Sequence, residues 1–332
     1  MRRFTRTLTT LALVAAVTAG TAGWASGDAQ DPVTGPPEGT GAWRAAGLPD
    51  PWATGAVEIA RFFAGLDPVR QEELARRYPT VVGNLDGAPP ALRYAANERG
   101  TRDRFSQDGG ARVLAHDPRG RGQAVLVHGD LARAENVAVI VPGSDVDAGR
   151  VRPLADMAAS LHRATGGRTA VVAWAGYTTP VGVGLDAATG RLAEAGAERL
   201  TRFVDGLVAV RPAGAARPSV FCHSYGSVVC GLAAHDLKAK DLVVLGSPGM
   251  RAANVAALGT SARVWAAKDP TDWIDRVPNV ELAGLGHGTD PTDPEFGARP
   301  VPAGDADGHA GYFAAGTSSL RAFAAIAEGD VR

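Results

Sequence analysis

The sequence predicts an α/β fold: a largely parallel, doubly wound sheet with helices on both faces and a helical N-terminal extension. Three observations predict it. Eight short apolar runs, β-rich in composition, follow one another between residues 111 and 286. They alternate with longer stretches of helical period, the pattern of a parallel sheet. Several runs are apolar throughout, as strands covered on both sides require.

The runs are ARVLAH (111–116), QAVLVHG (123–129), NVAVIVPG (136–143), TAVVAWAGY (169–177), PSVFCHS (218–224), DLVVLGSPG (241–249), ARVWAAKD (262–269) and NVELAGLG (279–286). Helices are predicted between and after them at 148–164, 190–210, 226–236 and 317–328. In the second, Leu200, Phe203, Val204, Leu207 and Val208 recur at i, i+3, i+4, i+7 and i+8 and make one apolar stripe. Residues 51–100 form the helical extension. There Ala56, Ile59, Ala60 and Phe63 share a face, and Asp67-Pro68 opens a second helix with a capping carboxylate and a proline at its first position. The turn residues of GNLDGAPP interrupt this region. Residues 30–50, rich in Pro and Gly, are predicted as a flexible tail, and 101–332 as the α/β domain. A chain of 332 residues suits one such domain.

Composition narrows the function. Hydrophobic residues make up 45% and charged residues 21%, enough apolar material for a sizeable core. A net charge of -1 leaves no footprint for nucleic acid or an anionic membrane. The basic residues are nearly all arginine, with Lys238, Lys240 and Lys268 the lysines. The arginines are scattered along the chain, which reads as coding bias rather than a phosphate site.

Residues 1–29 read as a signal peptide. Arg2, Arg3 and Arg6 precede an apolar run from Leu8 to Val17, and small residues follow around Gly23, Ala25 and Ala29. The run is too short to span a bilayer comfortably, so no stable membrane span is expected after cleavage, and the mature protein is expected outside the membrane. Both cysteines, Cys222 and Cys230, flank one serine. An even count in an exported protein invites a disulfide. Against it, strand and helix axes lie about 10 Å apart, beyond the Cα window of about 7 Å, so both are expected as buried free thiols.

That serine carries the strongest chemical signal. In PSVFCHSYGSVVCG an apolar strand ends at Cys222-His223, Ser224 follows, and Gly226 opens an apolar helix. This is the pattern of a nucleophile elbow, with C-H-S-Y-G in place of G-x-S-x-G, and it indicates the α/β-hydrolase fold. Small residues two before and two after the serine let strand and helix close on a strained turn; Gly226 meets that demand better than Cys222. A serine nucleophile needs a base and donors for the oxyanion. The Tyr225 N–H supplies one donor. The segment Gly143-Ser144, after the run VIVPGSD, is expected to supply the other, because glycine removes the Cβ obstacle.

On this fold the acid and then the base follow the serine in the chain. ARVWAAKDPTDWIDRVP offers Asp269, Asp272 and Asp275. Asp272 stands where the fold usually places its acid, with Asp269 the reserve and Asp275 read as a solvated residue. His287 (in GHGTDP) and His309 (in DGHAGYF) can both serve as base. His309 is preferred, since a Gly-flanked loop before the last helix is the usual place. His287 then becomes a structural residue beneath the site, and His223 a packed neighbour of the serine. His116, His128, His162 and His235 have no motif context. No histidine pair has metal-ligand spacing, and the chemistry calls for no cofactor.

Beyond these residues, ARRYPTVVGNLDGAPPALRYAAN, VHGDLARAENVAVIVPGSD, WAGYTTP, HSYGSVV, VVLGSPGM, GHGTDPTDPEFGAR and HAGYF occur in that order. From about Pro51 to the C-terminus the chain resembles an actinobacterial α/β-hydrolase family long labelled a domain of unknown function. That family typically has Gly at the position of Cys222 and Thr at that of Ser144; neither difference removes a catalytic group. The resemblance implies a hydrolytic enzyme with loosely defined substrates.

The expected function is that of a secreted serine hydrolase, esterase- or lipase-like, cleaving a small-molecule or lipid-like carboxylic ester through an acyl-enzyme. The same triad suits an acyltransferase or a peptidase, and a non-catalytic binding module on this fold is the reading from a different class. Nothing in the sequence sets an oligomeric state.

Overall fold

The computed structural model describes residues 29–101, 104, 105 and 110–331. Residues 1–28 of the expected signal peptide lie outside them. Its centre is an eight-stranded sheet in the order β1-β2-β4-β3-β5-β6-β7-β10. These strands are β1 (Arg112–Asp117), β2 (Gln123–His128), β3 (Asn136–Val141), β4 (Thr169–Ala175), β5 (Ser219–His223), β6 (Asp241–Leu245), β7 (Arg263–Ala267) and β10 (Arg299–Pro300). Strand β2 runs antiparallel to β1 and β4; all other pairs are parallel.

Alternation along the strands feeds two apolar layers. From β3, Val139 and Val141 face one side with Val172 and Val220, where α8 (Arg191–Ala209) and α9 (Gly226–Ala233) pack. Ala138 and Ile140 face the other with Phe221 and Val243, under α6 (Arg152–Ala164) and α10 (Ser318–Glu328). Both faces are thus covered, which is why these strands carry few polar residues. The stripe Leu200-Phe203-Val204-Leu207 is buried as its period demands.

The N-terminal helices form a separate layer with its own small core of Trp43, Ile59, Phe63, Leu74, Val82 and Leu85. Helices α1 (Thr40–Ala45), α2 (Ala56–Ala64), α3 (Pro68–Arg77), α4 (Pro79–Gly83) and α5 (Pro90–Thr101) build it. The Asp67 side chain accepts from the Arg70 amide, with Pro68 at the first helical position.

Two expectations are corrected. The segment 30–50 is not a loose tail. Trp43 is completely buried, its Nε1–H donating to Pro49 O at 2.6 Å, and the Gln30 and Val33 amides are tied to Asp186 and Thr178. One aromatic ring therefore outweighs the Pro and Gly around it, since burying such a side chain contributes about 2–3 kcal/mol. The run 279–286 does not join the sheet. It folds into a hairpin of β8 (Glu281–Leu282) and β9 (Leu285–Gly286), turning at Ala283 and Gly284, both with positive φ. The eighth place in the sheet goes to the two residues of β10, too short to leave a sequence signal.

Candidate active site

Ser224 stands at the end of β5 with φ of 56°, a left-handed conformation that costs a non-glycine residue about 1 kcal/mol or more. Its amide donates to Leu245 O at 3.0 Å, and α9 begins two residues later. Turn and helix are closed together by glycine. A Cβ on Gly226 would come within 2.5 Å of Val141 O, so no larger residue passes the end of β3 at this distance. Gly143 approaches from the β3 loop. A Cβ there would lie 2.5 Å from Ser224 Cβ and 3.1 Å from the Tyr225 nitrogen. The backbone of Gly143-Ser144 is therefore pressed against the elbow, beside the Tyr225 N–H. Tyr177 OH donates to Pro142 O at 2.7 Å and holds this loop in place.

The expectation of free thiols is overturned. Cys222 and Cys230 form a disulfide, with Cα atoms 6.4 Å apart. Axis-to-axis spacing overstated their distance, because the Cα of a residue facing the strand stands about 2.3 Å nearer than the helix axis. Helix α9 also starts from the same elbow, so it has had little length over which to diverge from β5.

Asp272 caps the short 3-10 turn Trp273–Arg276, its carboxylate accepting from the Ile274 amide at 2.9 Å. The same carboxylate accepts from His309 Nδ1–H at 2.8 Å and from Tyr312 OH at 2.6 Å. Burial pushes the Asp272 carboxyl up, but the donors from His309, Tyr312 and Ile274 outweigh it and hold it below the usual range. The group stays ionised, and an ionised carboxylate only accepts. The His309 proton therefore sits on Nδ1, and Nε2 presents a lone pair.

The His309 ring lies over the carboxyl ends of β5 and β6. Its centroid is 4.7 Å from that of His223 and 4.6 Å from that of Trp273, and a Cβ on Gly246 would be 3.1 Å from it. Among the described residues no hydrogen bond joins it to Ser224 Oγ; in unliganded hydrolases that contact is often long and tightens with substrate. His223 Nε2–H donates to His309 O at 2.7 Å, so the neighbour of the serine fixes the backbone of the other loop.

The remaining candidates have other partners. The Asp269 carboxylate accepts from the Thr271 amide and hydroxyl and from the Gly308 amide, shaping the turn that carries Asp272. Asp275 pairs with Lys268 at 2.6 Å. His287 donates from Nε2 to Ala187 O at 2.6 Å and stacks edge-on with Tyr225 at 5.5 Å, beneath the elbow. Tyr177 and Tyr312 were not singled out in the sequence, although each lies in a quoted family phrase, WAGYTTP or HAGYF.

Burial lowers His287 to about 4, with Arg251 adding to the effect, and burial likewise lowers His116, His128 and His223. The folded state thus favours neutral imidazoles. Their stability is complete above the unfolded value near 6.5 and is lost as pH falls from 6.5 toward 4. For His287 alone the loss at pH 5 is about 2 kcal/mol. The melting temperature is expected to fall between pH 7 and pH 5, and His287→Gln to flatten that slope. A melting temperature constant over this range would refute the assignment.

A family model described as alpha/beta hydrolase matches residues 117–282, half of the chain, including β2 to β7 and the elbow. The chain belongs to this α/β-hydrolase family. An uncharacterized protein of Mycobacterium tuberculosis (strain ATCC 25618 / H37Rv) is 29% identical over 372 aligned residues. The match covers 85% of this α/β-hydrolase but 57% of that relative, so the chain spans little more than half the relative's length. An uncharacterized protein of Mycobacterium bovis is 32% identical over 184 residues, 49% of this chain and 67% of the relative. Among solved structures, esterase PE8 gives a TM-score of 0.40 at 17% identity, covering 62% of this chain and 97% of its own. The α/β serine hydrolase XC6422 of Xanthomonas campestris gives 0.38 at 17% identity, covering 68% and 94%.

Proposed function

We propose that this α/β-hydrolase is a secreted serine hydrolase that cleaves a carboxylic ester through an acyl-enzyme. The observation that carries the reading is the Asp272–His309 pair at 2.8 Å, with the His309 ring 4.7 Å from that of His223, the residue before a left-handed Ser224. His309 Nε2 takes the proton of Ser224 Oγ as the oxygen adds to the ester carbonyl. The carbonyl oxygen becomes an oxyanion held by the Tyr225 N–H and the Gly143-Ser144 backbone. Collapse of the tetrahedral species expels the alcohol, which takes the proton from His309. Water then repeats the sequence on the acyl-enzyme and frees the acid. Asp272 stays ionised throughout and steadies the imidazolium.

Exposed apolar residues on loops that adjoin the site support an apolar acyl group. Val181 and Val183 stand exposed on the loop that Asp145 fastens to the Gly143 segment, and Leu185 at the start of the short helix α7 (Leu185–Ala188) that follows. Trp273, Leu282 and Leu285 are exposed as well, Trp273 against His309 and Leu285 bridged to Thr189, whose carbonyl accepts from Tyr225 OH. Exposed apolar side chains on segments tied to the elbow and to His309 are read as a binding surface rather than chance exposure.

The test is a fluorophosphonate probe and a series of nitrophenyl esters from acetyl to dodecanoyl. The probe is expected to label the wild type and not Ser224→Ala, with kcat/KM rising along the series. An unlabelled, folded wild type would refute the proposal.

A further inference from the structure

Four arginines far apart in the chain meet in one cavity away from the elbow. Arg93, Arg119, Arg199 and Arg202 line a space of about 50 Å³ between α8, the start of β2 and the N-terminal segment. Two are neutralised by direct pairing, Arg93 with Asp86 at 3.1 Å and Arg119 with Asp117 at 2.6 Å. The other two meet carbonyl oxygens. Arg202 donates to Pro51, Trp52 and Thr54 O, while among the described residues Arg199 donates through Nε alone, to Gly176 O at 2.6 Å. The cavity lining therefore carries a surplus of two positive charges. Gln123 lies in the same wall, 4% exposed, and neither its Oε1 nor its Nε2 has a hydrogen-bond partner among the described residues.

Both features favour an anionic ligand that also offers a hydrogen-bond partner. A buried amide without partners costs roughly 1–3 kcal/mol, and the two carboxylates of the lining, Asp86 and Asp117, offset the four guanidinium charges only in part. The volume exceeds the roughly 10–15 Å³ that one water needs, and its walls include the flat rings of Trp52, Trp174 and Phe203. Guanidinium Nη groups and an amide N–H together suit the oxygens of one planar or tetrahedral anion.

We propose that this cavity binds a small oxyanion, a carboxylate or phosphate group, held between the Arg199 guanidinium and Gln123 Nε2. Gln123 Oε1 then accepts from a hydroxyl or amide elsewhere on the same ligand. The site shares no residue with the elbow, so it stands or falls independently of the hydrolase reading.

Thermal unfolding and titration calorimetry of the purified chain with sodium phosphate and with sodium acetate, against sodium chloride at equal ionic strength, test it. At ten times the dissociation constant the binding anion is expected to raise the melting temperature by about 2–4 °C. Preference for phosphate identifies a phosphoryl ligand, and preference for acetate a carboxylate. Arg199→Gln and Gln123→Leu are each expected to weaken binding at least tenfold. Should Arg199→Gln fail to fold, Gln123→Leu decides, since it keeps the shape of the wall and removes two unpartnered atoms. No rise beyond chloride, or equal binding in Gln123→Leu, overturns the proposal.

Discussion

Ser224→Ala is expected to lower ester turnover by on the order of 10⁶ while leaving the melting temperature unchanged or slightly raised. The turnover falls because the hydroxyl that forms the acyl bond is removed. The stability holds because alanine has the same Cβ in the same left-handed backbone, and Ser224 contributes its amide, not its hydroxyl, to the hydrogen bond with Leu245. His309→Ala is expected to approach the same loss, since the serine hydroxyl then has no acceptor for its proton. The double variant is expected to lose little beyond either single one, because residues that act as one unit are not additive. Burst kinetics on a nitrophenyl ester read all three. Additive losses, or a His309→Ala variant within a hundredfold of wild type, would remove His309 from the base's role.

Asp272→Asn should cost about 10⁴ in kcat. The amide of asparagine donates where the carboxylate accepted, so it turns the imidazole to the tautomer with its proton on Nε2. His309 then faces the serine with the wrong atom. The Ile274 amide donates to one Asp272 oxygen and Tyr312 OH to the other, so asparagine keeps an acceptor for one of them, while Tyr312 OH can turn to accept from the new amide N–H. Asp269→Asn is the matched control. Its carboxylate accepts from Thr271 and Gly308 and not from His309, so the effect on turnover is expected to stay within about tenfold and to appear mainly in stability. A reversed order of the two variants, measured at one pH on one ester, would reassign the acid.

The parts of this reading legible in the sequence are those set by local chain geometry. Gly226 and Gly143 mark themselves because the β3 backbone at one and the Ser224 Cβ at the other permit no side chain there, and Ser224 follows from the strand-glycine-helix frame around it. The period of α8 is visible because one face is buried along its whole length. What depends on distance in space was not legible. Cys222 and Cys230 were judged by an average spacing between elements, whereas their true separation is set by how tightly one elbow closes. In NVELAGLG the apolar residues suggested a sheet strand, but the turn at Ala283-Gly284 comes too soon for one. The scattered arginines looked like composition; folding gathers four of them around Gln123. Trp43 shows the converse, a single buried ring that converts a Pro-Gly segment into part of the structure.

The Cys222–Cys230 bond also imposes an order of events. Both residues are completely buried in the finished molecule, and exchange of a disulfide requires that another sulfur reach it. An oxidant must therefore act while α9 is still clear of the sheet. A chain that closes its core first keeps two thiols sealed within the elbow, and a reductant meets the same wall from outside. Once assembly is complete, the redox state of these two sulfurs is a record of where the chain folded rather than of where it now resides.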